Sequence, residues 1–287
     1  MIRHSRSPKG IWLIVKVVSR SGHTLIEVAL GLIVFAIVLA SVSVVLISQH
    51  RFYALNAQLA STRDAARIAV EVLTGELRAA SPAAGDLYAI ARDSVALRSS
   101  TGIGVICGVS GSTIELWRWM GSFADSGNDS ALVFVENDPA TSLDDAWVAA
   151  SVRNVRSGGG SACPGGRPSS DRLVLDREVT GAVVGSLVRA FRPYVYKLYA
   201  GGDGRWWLGQ RLRYGRIQPI TGPFAHPTEG GLRLEFIDRG GDKTLDPTRV
   251  VEVRVSIKAQ SARRVPGFDG AYFLTDSLSA AVYLRNS

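Results

Sequence analysis

The pattern of apolar and polar residues divides the chain into three stretches. Residues 24–48 form a nearly uninterrupted apolar run, in which Glu27 is the only charged residue. Residues 49–80 then place apolar side chains at spacings of three and four, with charged residues between them. This spacing is typical of an amphipathic helix. Ser81 and Pro82 end the helical pattern, and the residues after them alternate between apolar and polar, which predicts strands.

The apolar run is long enough to cross a membrane. About 20 apolar residues span the hydrocarbon core of a bilayer. A helix of the 25 residues in this run extends roughly 37 Å. Because a backbone in lipid must satisfy its own hydrogen bonds, a helix is favoured over a strand despite the many β-branched residues. The pattern predicts one helix from about Thr24 to Ala80, with residues 23–48 in the membrane and residues 49–81 as its amphipathic continuation.

The remainder of the chain, residues 82–287, reads as a β-rich domain. Alternation is clearest in residues 113–119, 232–237 and 251–258. Further strands are predicted in residues 102–109, 130–136, 146–155, 172–176, 186–199 and 205–214. Loops are predicted in the Gly-, Ser- and Pro-rich segments 121–130, 156–170 and 201–204. The predicted fold class is α+β, with one long N-terminal helix packed on an antiparallel β-sheet.

The formal charge of +8 is concentrated at the N-terminus. Residues 1–22 carry five basic residues and no acidic one, which leaves 28 basic against 25 acidic residues in residues 23–287. A positive segment beside an apolar span holds that end of a protein in the cytoplasm. We therefore expect a single-pass protein of the inner membrane with a cytoplasmic N-terminus and a periplasmic C-terminal domain. The remaining net charge of +3 does not indicate a nucleic-acid partner.

A short motif lies where the basic segment meets the apolar run. It reads Ser21-Gly22-His23-Thr24-Leu25-Ile26-Glu27-Val28. A carboxylate inside an apolar span is costly and usually functional. The motif resembles the class III signal of prepilins, which has a glycine, a hydrophobic residue and then Thr-Leu-Ile-Glu. The chain thus resembles the type IV pilin-like family, with His23 in the place where that family usually has phenylalanine.

The resemblance implies processing and assembly. A prepilin peptidase would cut between Gly22 and His23, remove residues 1–22 as a leader peptide and methylate the new N-terminus at His23. Thr24, Leu25 and Ile26 would belong with Glu27 to an assembly segment. The Glu27 carboxylate would face the N-terminal amine of a neighbouring subunit in an apolar filament core and so set the axial register. The plain alternative is a membrane anchor whose Glu27 reaches the lipid headgroups.

Two later stretches indicate which subtype of the type IV pilin-like family the chain resembles. Residues 188–212 look like the hairpin of W-type minor pilins and J-type pseudopilins, and residues 234–257 are similar to the late region of those proteins. The resemblance implies a minor subunit that enters, and helps to initiate, a type IV pilus or a type II secretion pseudopilus. Its implied partners are the prepilin peptidase, other pilin or pseudopilin subunits, the inner-membrane assembly platform and membrane lipid. Residues 82–185 carry no such resemblance.

The two cysteines of the chain, Cys107 and Cys163, both follow the apolar run. In an exported domain they meet an oxidising compartment and are able to pair. Their separation of 56 positions matches no zinc or CxxC spacing, so the alternatives are a disulfide and two free thiols. We expect the disulfide.

A glycine-rich segment contains the one candidate metal site. Asp238, Asp242 and Asp246 occur in Asp-Arg-Gly-Gly-Asp-Lys-Thr-Leu-Asp, and clustered carboxylates in a glycine turn are able to bind calcium. The spacing is not that of an EF-hand, so a polar turn between two strands is the favoured alternative. No other cofactor is expected.

No enzyme is predicted, because the sequence has no HExxH, GxSxG or Walker A motif. The second functional hypothesis is a membrane-anchored module that binds DNA, a surface or a secreted substrate. It depends on a basic stretch interleaved with aromatic residues, residues 188–216. Its basic residues are Arg189, Arg192, Lys197, Arg205, Arg211, Arg213 and Arg216. Binding is favoured if these side chains form one exposed face and disfavoured if they do not.

Overall fold

The computed structural model of the protein describes residues 24–123, 129–138, 140–141, 143–158, 162–212, 215–267 and 270–285. The predicted leader, residues 1–22, and His23 lie outside the described residues. The chain divides after Ala54 into two compact units, residues 1–54 and 55–287, and each is described by itself.

One helix, α1, covers Leu25–Ala79, and this confirms the predicted helix to within one residue at each end. Every residue from Thr24 to Ala54 is exposed. The large apolar side chains of the run are at least half exposed, from 50% at Val42 to 90% at Leu25. A helix with an apolar surface all round requires an apolar surrounding. By length and composition α1 is able to cross a membrane, as a single span or a signal anchor.

The second half of α1 buries one stripe against the sheet of the second unit. Its buried residues recur at helical spacing: Thr62, Ala65, Ala66, Ala69, Val70, Leu73 and Leu77. The many alanines in this stripe allow the helix backbone to approach the sheet closely. Leu73 and Leu77 are completely buried. Truncation of a leucine in such a position costs about 2–5 kcal/mol, so this stripe fixes the helix on the domain.

In the described part of the chain fourteen strands follow the helix. The first seven are β1 Leu87–Ala91, β2 Ser94–Ser110, β3 Thr113–Gly121, β4 Ser130–Val135, β5 Ala146–Ser157, β6 Ala162–Cys163 and β7 Arg167–Pro168. The others are β8 Asp171–Leu175, β9 Leu187–Ala200, β10 Trp206–Leu212, β11 Ile217–Phe224, β12 Leu232–Asp238, β13 Val250–Gly267 and β14 Gly270–Tyr283. Short 3₁₀ turns at Pro227–Glu229 and Pro247–Arg249 precede β12 and β13.

Six strands close into a ring. The pairing runs β2–β3–β8–β5–β4–β9 and returns from β9 to β2, with every pair antiparallel. A ring in which each strand has two neighbours is a small β-barrel and has no open edge. Its own core contains completely buried side chains such as Ile106, Leu116, Val133 and Leu173. This barrel occupies most of the stretch that carries no family resemblance.

The remaining strands form the sheet on which α1 packs. The sheet continues from β9 through β10 and β11 to β13, which also pairs with β12 and β14. Its core combines the helix stripe with strand residues including Tyr196, Leu208, Phe224 and Val253. The long strands β2 and β9 pair with each other from Ser94–Lys197 to Val105–Leu187. They therefore belong to both the barrel and the sheet.

The α+β class is confirmed, and so are the β9–β10 and β12–β13 pairings expected from the late part of the chain. The prediction missed β1, β11 and β14. It was also wrong in treating residues 156–170 wholly as a loop, because β6 and β7 lie there. β11 was missed because Ile217–Phe224 contains Pro219 and Pro223. Proline has no amide hydrogen to donate to a neighbouring strand, so its presence argues against a strand prediction.

The predicted disulfide is confirmed. Cys107 and Cys163 are joined, with their Cα atoms 4.4 Å apart, and both residues are buried. Cys107 lies on β2 and Cys163 on β6. In the described part of the chain the β6–β7 hairpin pairs with no other strand. The disulfide therefore attaches this hairpin to the barrel wall.

Replacement of both cysteines by alanine is expected to lower the free energy of unfolding by about 3–4 kcal/mol, because the bridge closes a long loop in the unfolded chain. Denaturant unfolding of the full chain in detergent measures this difference. Wild-type protein treated with a reductant should match the double variant. A double variant as stable as the oxidised wild type would show that the bridge contributes nothing.

Candidate functional site

The first turn of α1 contains a capping box. Thr24 precedes the first helical residue, and Glu27 is the third residue of the helix. The Thr24 amide donates to Glu27 Oε2 at 2.9 Å, and the Glu27 amide donates to Thr24 Oγ1 at 3.4 Å. In this reciprocal arrangement the Thr24 amide at the helix start receives an acceptor. The Glu27 amide, which also donates to the Thr24 carbonyl at 3.0 Å, gains a second acceptor.

The capping box gives Thr24 and Glu27 a structural role within a single chain. The Glu27 carboxylate lies at the positive end of the helix dipole, where a negative charge is stabilised. It therefore has a local partner before any second subunit is present. Leu25 and Ile26 are 90% and 68% exposed, so their apolar side chains are available to lipid or to another helix. The structure thus groups Thr24, Leu25, Ile26 and Glu27 in one turn, while Gly22 and His23 lie outside the described residues.

The other polar groups of the apolar run are satisfied within the helix. The hydroxyls of Ser41, Ser43 and Ser48 donate to the carbonyls of Ile37, Leu39 and Val45, each at 2.8 Å. Such back-bonding hides a hydroxyl from an apolar surrounding. Glu27 is therefore the distinctive polar feature of this surface, since it alone in the run carries a charge.

The aspartate segment after β12 forms a hydrogen-bonded turn. Asp238 Oδ1 accepts from the amides of Gly240 at 2.9 Å and Asp242 at 3.1 Å, and Asp238 Oδ2 accepts from Arg249 Nη2 at 2.8 Å. Both oxygens of this buried carboxylate are thus engaged by groups of the chain itself. Asp238 shapes the turn that joins β12 to β13.

Asp246 has a separate task, since it caps the 3₁₀ turn before β13. Its Oδ1 accepts from the Thr248 hydroxyl at 2.7 Å and the Thr248 amide at 3.0 Å. These hydrogen bonds lower the pKa of the Asp246 carboxyl. Within the described residues no group of three or more His, Cys, Asp or Glu side chains is arranged to hold a metal. The geometry favours the polar turn, and calcium binding at Asp238, Asp242 and Asp246 stays a prediction.

The described basic residues of the stretch 188–216 do not form one exposed face. Arg189 forms an ion pair with Asp86, and Arg192 forms one with Asp129; both carboxylates are buried. Arg205 lies 3.6 Å from Asp203 in the β9–β10 turn, and Arg213 is not among the described residues. Arg189 and Arg192 neutralise internal carboxylates, so these two residues are not available to a nucleic acid as part of one cationic surface. This arrangement disfavours the binding-module hypothesis.

Comparison of the chain with family models, curated proteins and solved structures found no match in any of the three. The resemblance to type IV pilin-like proteins therefore depends on the residues themselves. These are the motif from Gly22 to Glu27 and the hairpin formed by β9 and β10.

Proposed function

We propose that this chain is a minor pilin or pseudopilin. A prepilin peptidase removes residues 1–22, and the mature chain enters a type IV pilus or a type II secretion pseudopilus through α1. The observation that carries the proposal is the Thr24–Glu27 capping box at the start of an exposed apolar helix, directly after the Gly22-His23 pair.

The physical argument starts from the exposed apolar surface. Residues 24–54 are exposed on every face of the helix, so lipid or neighbouring helices must cover their apolar side chains. In a helical bundle Glu27 would be removed from water, and an unpaired carboxylate there is strongly unfavourable. Processing after Gly22 creates a cationic amine at His23, four residues before Glu27. This amine is the nearest compensating charge that a neighbouring subunit can supply.

The size of the domain favours a minor subunit. The mature chain has 265 residues. Much of the domain that lies outside the helix and its sheet is the barrel formed by β2, β3, β8, β5, β4 and β9. A repeating major subunit has to pack copies of its domain closely along a filament. A bulky domain is more easily accommodated at an end, where it has fewer neighbours, and this supports a role in initiation.

Processing tests the proposal directly. The full chain is produced in membranes with and without a prepilin peptidase and is examined by intact mass and N-terminal sequencing. We expect a chain that starts at His23 only when the peptidase is present. A Gly22→Asp variant should keep residues 1–22 in both conditions, because the cleavage signal requires a small residue there.

Gly31→Ala is the matched control for this experiment. Gly31 lies in α1, and an added Cβ meets nothing within 4 Å, so this variant should be processed like the wild type. A wild-type chain that keeps residues 1–22 in the presence of an active peptidase would overturn the proposal and leave a membrane-anchored β domain.

A further inference from the structure

A cleft lies at the junction of the barrel and the β1–β2 hairpin. Its volume is about 350 Å³. Tyr88, Phe191 and Pro193 supply apolar walls, while Ser130 and Ser151 supply hydroxyls. Neither the assembly segment nor the aspartate turn contributes to it. The cleft is therefore separate from the features used in the proposed function.

Arg98 forms part of the cleft wall and is half-buried. Its guanidinium carbon lies 4.9 Å from the centroid of the Phe191 ring. Its Nη1 donates to the Ala84 carbonyl across a long 3.4 Å. Among the described residues no carboxylate lies within ion-pair distance of Arg98. Burial accordingly lowers the pKa of Arg98, and Arg189 adds to this effect while Asp86 opposes it.

The charges around the cleft do not balance. Asp86 lies near both Arg98 and Arg189, but its carboxylate is engaged by the Arg189 guanidinium and by the Ser81 amide. Among the described residues two arginines thus share one buried carboxylate, which leaves an excess of one positive charge.

The rim of the cleft does not remove this excess. Asp176 and Arg177 lie side by side there and offset each other. Asp176 Oδ1 accepts from the Ser151 amide at 2.9 Å, and Arg177 Nη2 donates to the Ala149 carbonyl. The rim carboxylate is therefore directed at β5.

Other stacked arginines in the described part of the chain differ from Arg98. Arg167 stacks on Trp117 and Arg264 stacks on Phe273, but both arginines are exposed. Water solvates their charges, so neither requires an anion. Arg98 combines a ring contact with partial burial beside an open cavity, and this combination indicates a ligand.

We propose that the cleft binds one carboxylate group against the Arg98 guanidinium. A guanidinium donates two parallel hydrogen bonds to a carboxylate in a fixed geometry. The Tyr88 and Phe191 rings are suited to the apolar part of the same ligand. The carboxylate comes either from an acidic side chain of another polypeptide or from a free small acid. This inference does not depend on the proposed function.

The test uses the full chain in detergent micelles and two probes. The first probe is acetate, and the second is a short blocked peptide with one glutamate and no other charge. Saturation-transfer NMR measures binding of each probe. We expect Arg98→Gln to weaken binding at least about tenfold, since it removes charged hydrogen bonds. Arg153→Gln makes the same charge change at an exposed position of β5 and should bind like the wild type.

A second variant keeps the test informative if Arg98→Gln fails to fold. Ala149→Leu keeps the arginine but narrows the cleft that Ala149 lines, and it should also weaken binding. Tighter binding of the peptide than of acetate would assign the ligand to an acidic side chain, and equal binding would assign it to free carboxylates. The proposal is overturned if wild type binds neither probe, or if both cleft variants bind as wild type does.

Discussion

Glu27→Gln is expected to be processed normally and to be excluded from filaments. Glutamine at the third helical position still completes a capping box with Thr24, so the start of α1 is preserved. The change removes only the negative charge that would face the amine of a neighbouring His23. Because an unpaired charge left in an apolar interior costs about 3–5 kcal/mol, we expect at least about a 100-fold fall in the filament-bound fraction. Immunoblots of sheared filaments and of membranes measure this fraction.

Two further variants separate the role of charge from that of capping. Glu27→Leu removes both, and it should fail in the same way as Glu27→Gln. Glu71→Gln changes an exposed carboxylate of the same helix, which pairs with Arg67 at 3.3 Å. This variant should assemble normally. If Glu27→Gln assembles like the wild type while Glu27→Leu does not, Glu27 acts only as a helix cap.

The helix could be predicted because its signals are local. The 25-residue apolar run and the later spacing of three and four both indicate a helix without knowledge of any other part of the chain. Ser81 and Pro82 locate its end. The capping box is also visible in the sequence as Thr-x-x-Glu, which overlaps the prepilin-like motif.

The barrel could not be predicted, because its closure depends on contacts between distant residues. Gly104 on β2 pairs with Val188 on β9, and that pairing completes the ring. The same glycine lets β3 approach closely, since a Cβ at Gly104 would lie 2.8 Å from the Trp117 carbonyl oxygen. Strand alternation reveals which face of a strand is buried, but it does not identify the neighbouring strand.

The internal ion pairs were missed for the same reason. In the sequence Arg189 is a candidate for contact with a nucleic acid, because its neighbours in sequence are basic and aromatic. Its partner, Asp86, lies 103 positions earlier, and no pattern in the sequence connects the two residues. A basic stretch in a sequence therefore does not reveal whether its arginines form an exposed binding face or neutralise buried carboxylates.

Asp86 joins three parts of the second unit. Its carboxylate accepts from the Ser81 amide, just after the end of α1, at 2.9 Å, and from Arg189 on β9. Its carbonyl accepts from the Arg98 amide on β2 at 2.8 Å. The residue is completely buried. The end of the helix and the strands β2 and β9 are thus connected through one residue, by its carboxylate and its backbone carbonyl.

Asp86→Ala is therefore expected to destabilise the domain by about 3–5 kcal/mol, because it leaves a half-buried guanidinium without its carboxylate. Denaturant unfolding of the full chain in detergent, followed by tryptophan fluorescence, measures this loss. Adding Arg189→Met should restore part of the stability, since the unpaired charge is then removed as well. Asp93→Ala, at an exposed turn between β1 and β2, should change the free energy of unfolding by less than about 0.5 kcal/mol. An Asp86→Ala variant as stable as this control would show that the Asp86–Arg189 pair does not hold the barrel to the helix and sheet.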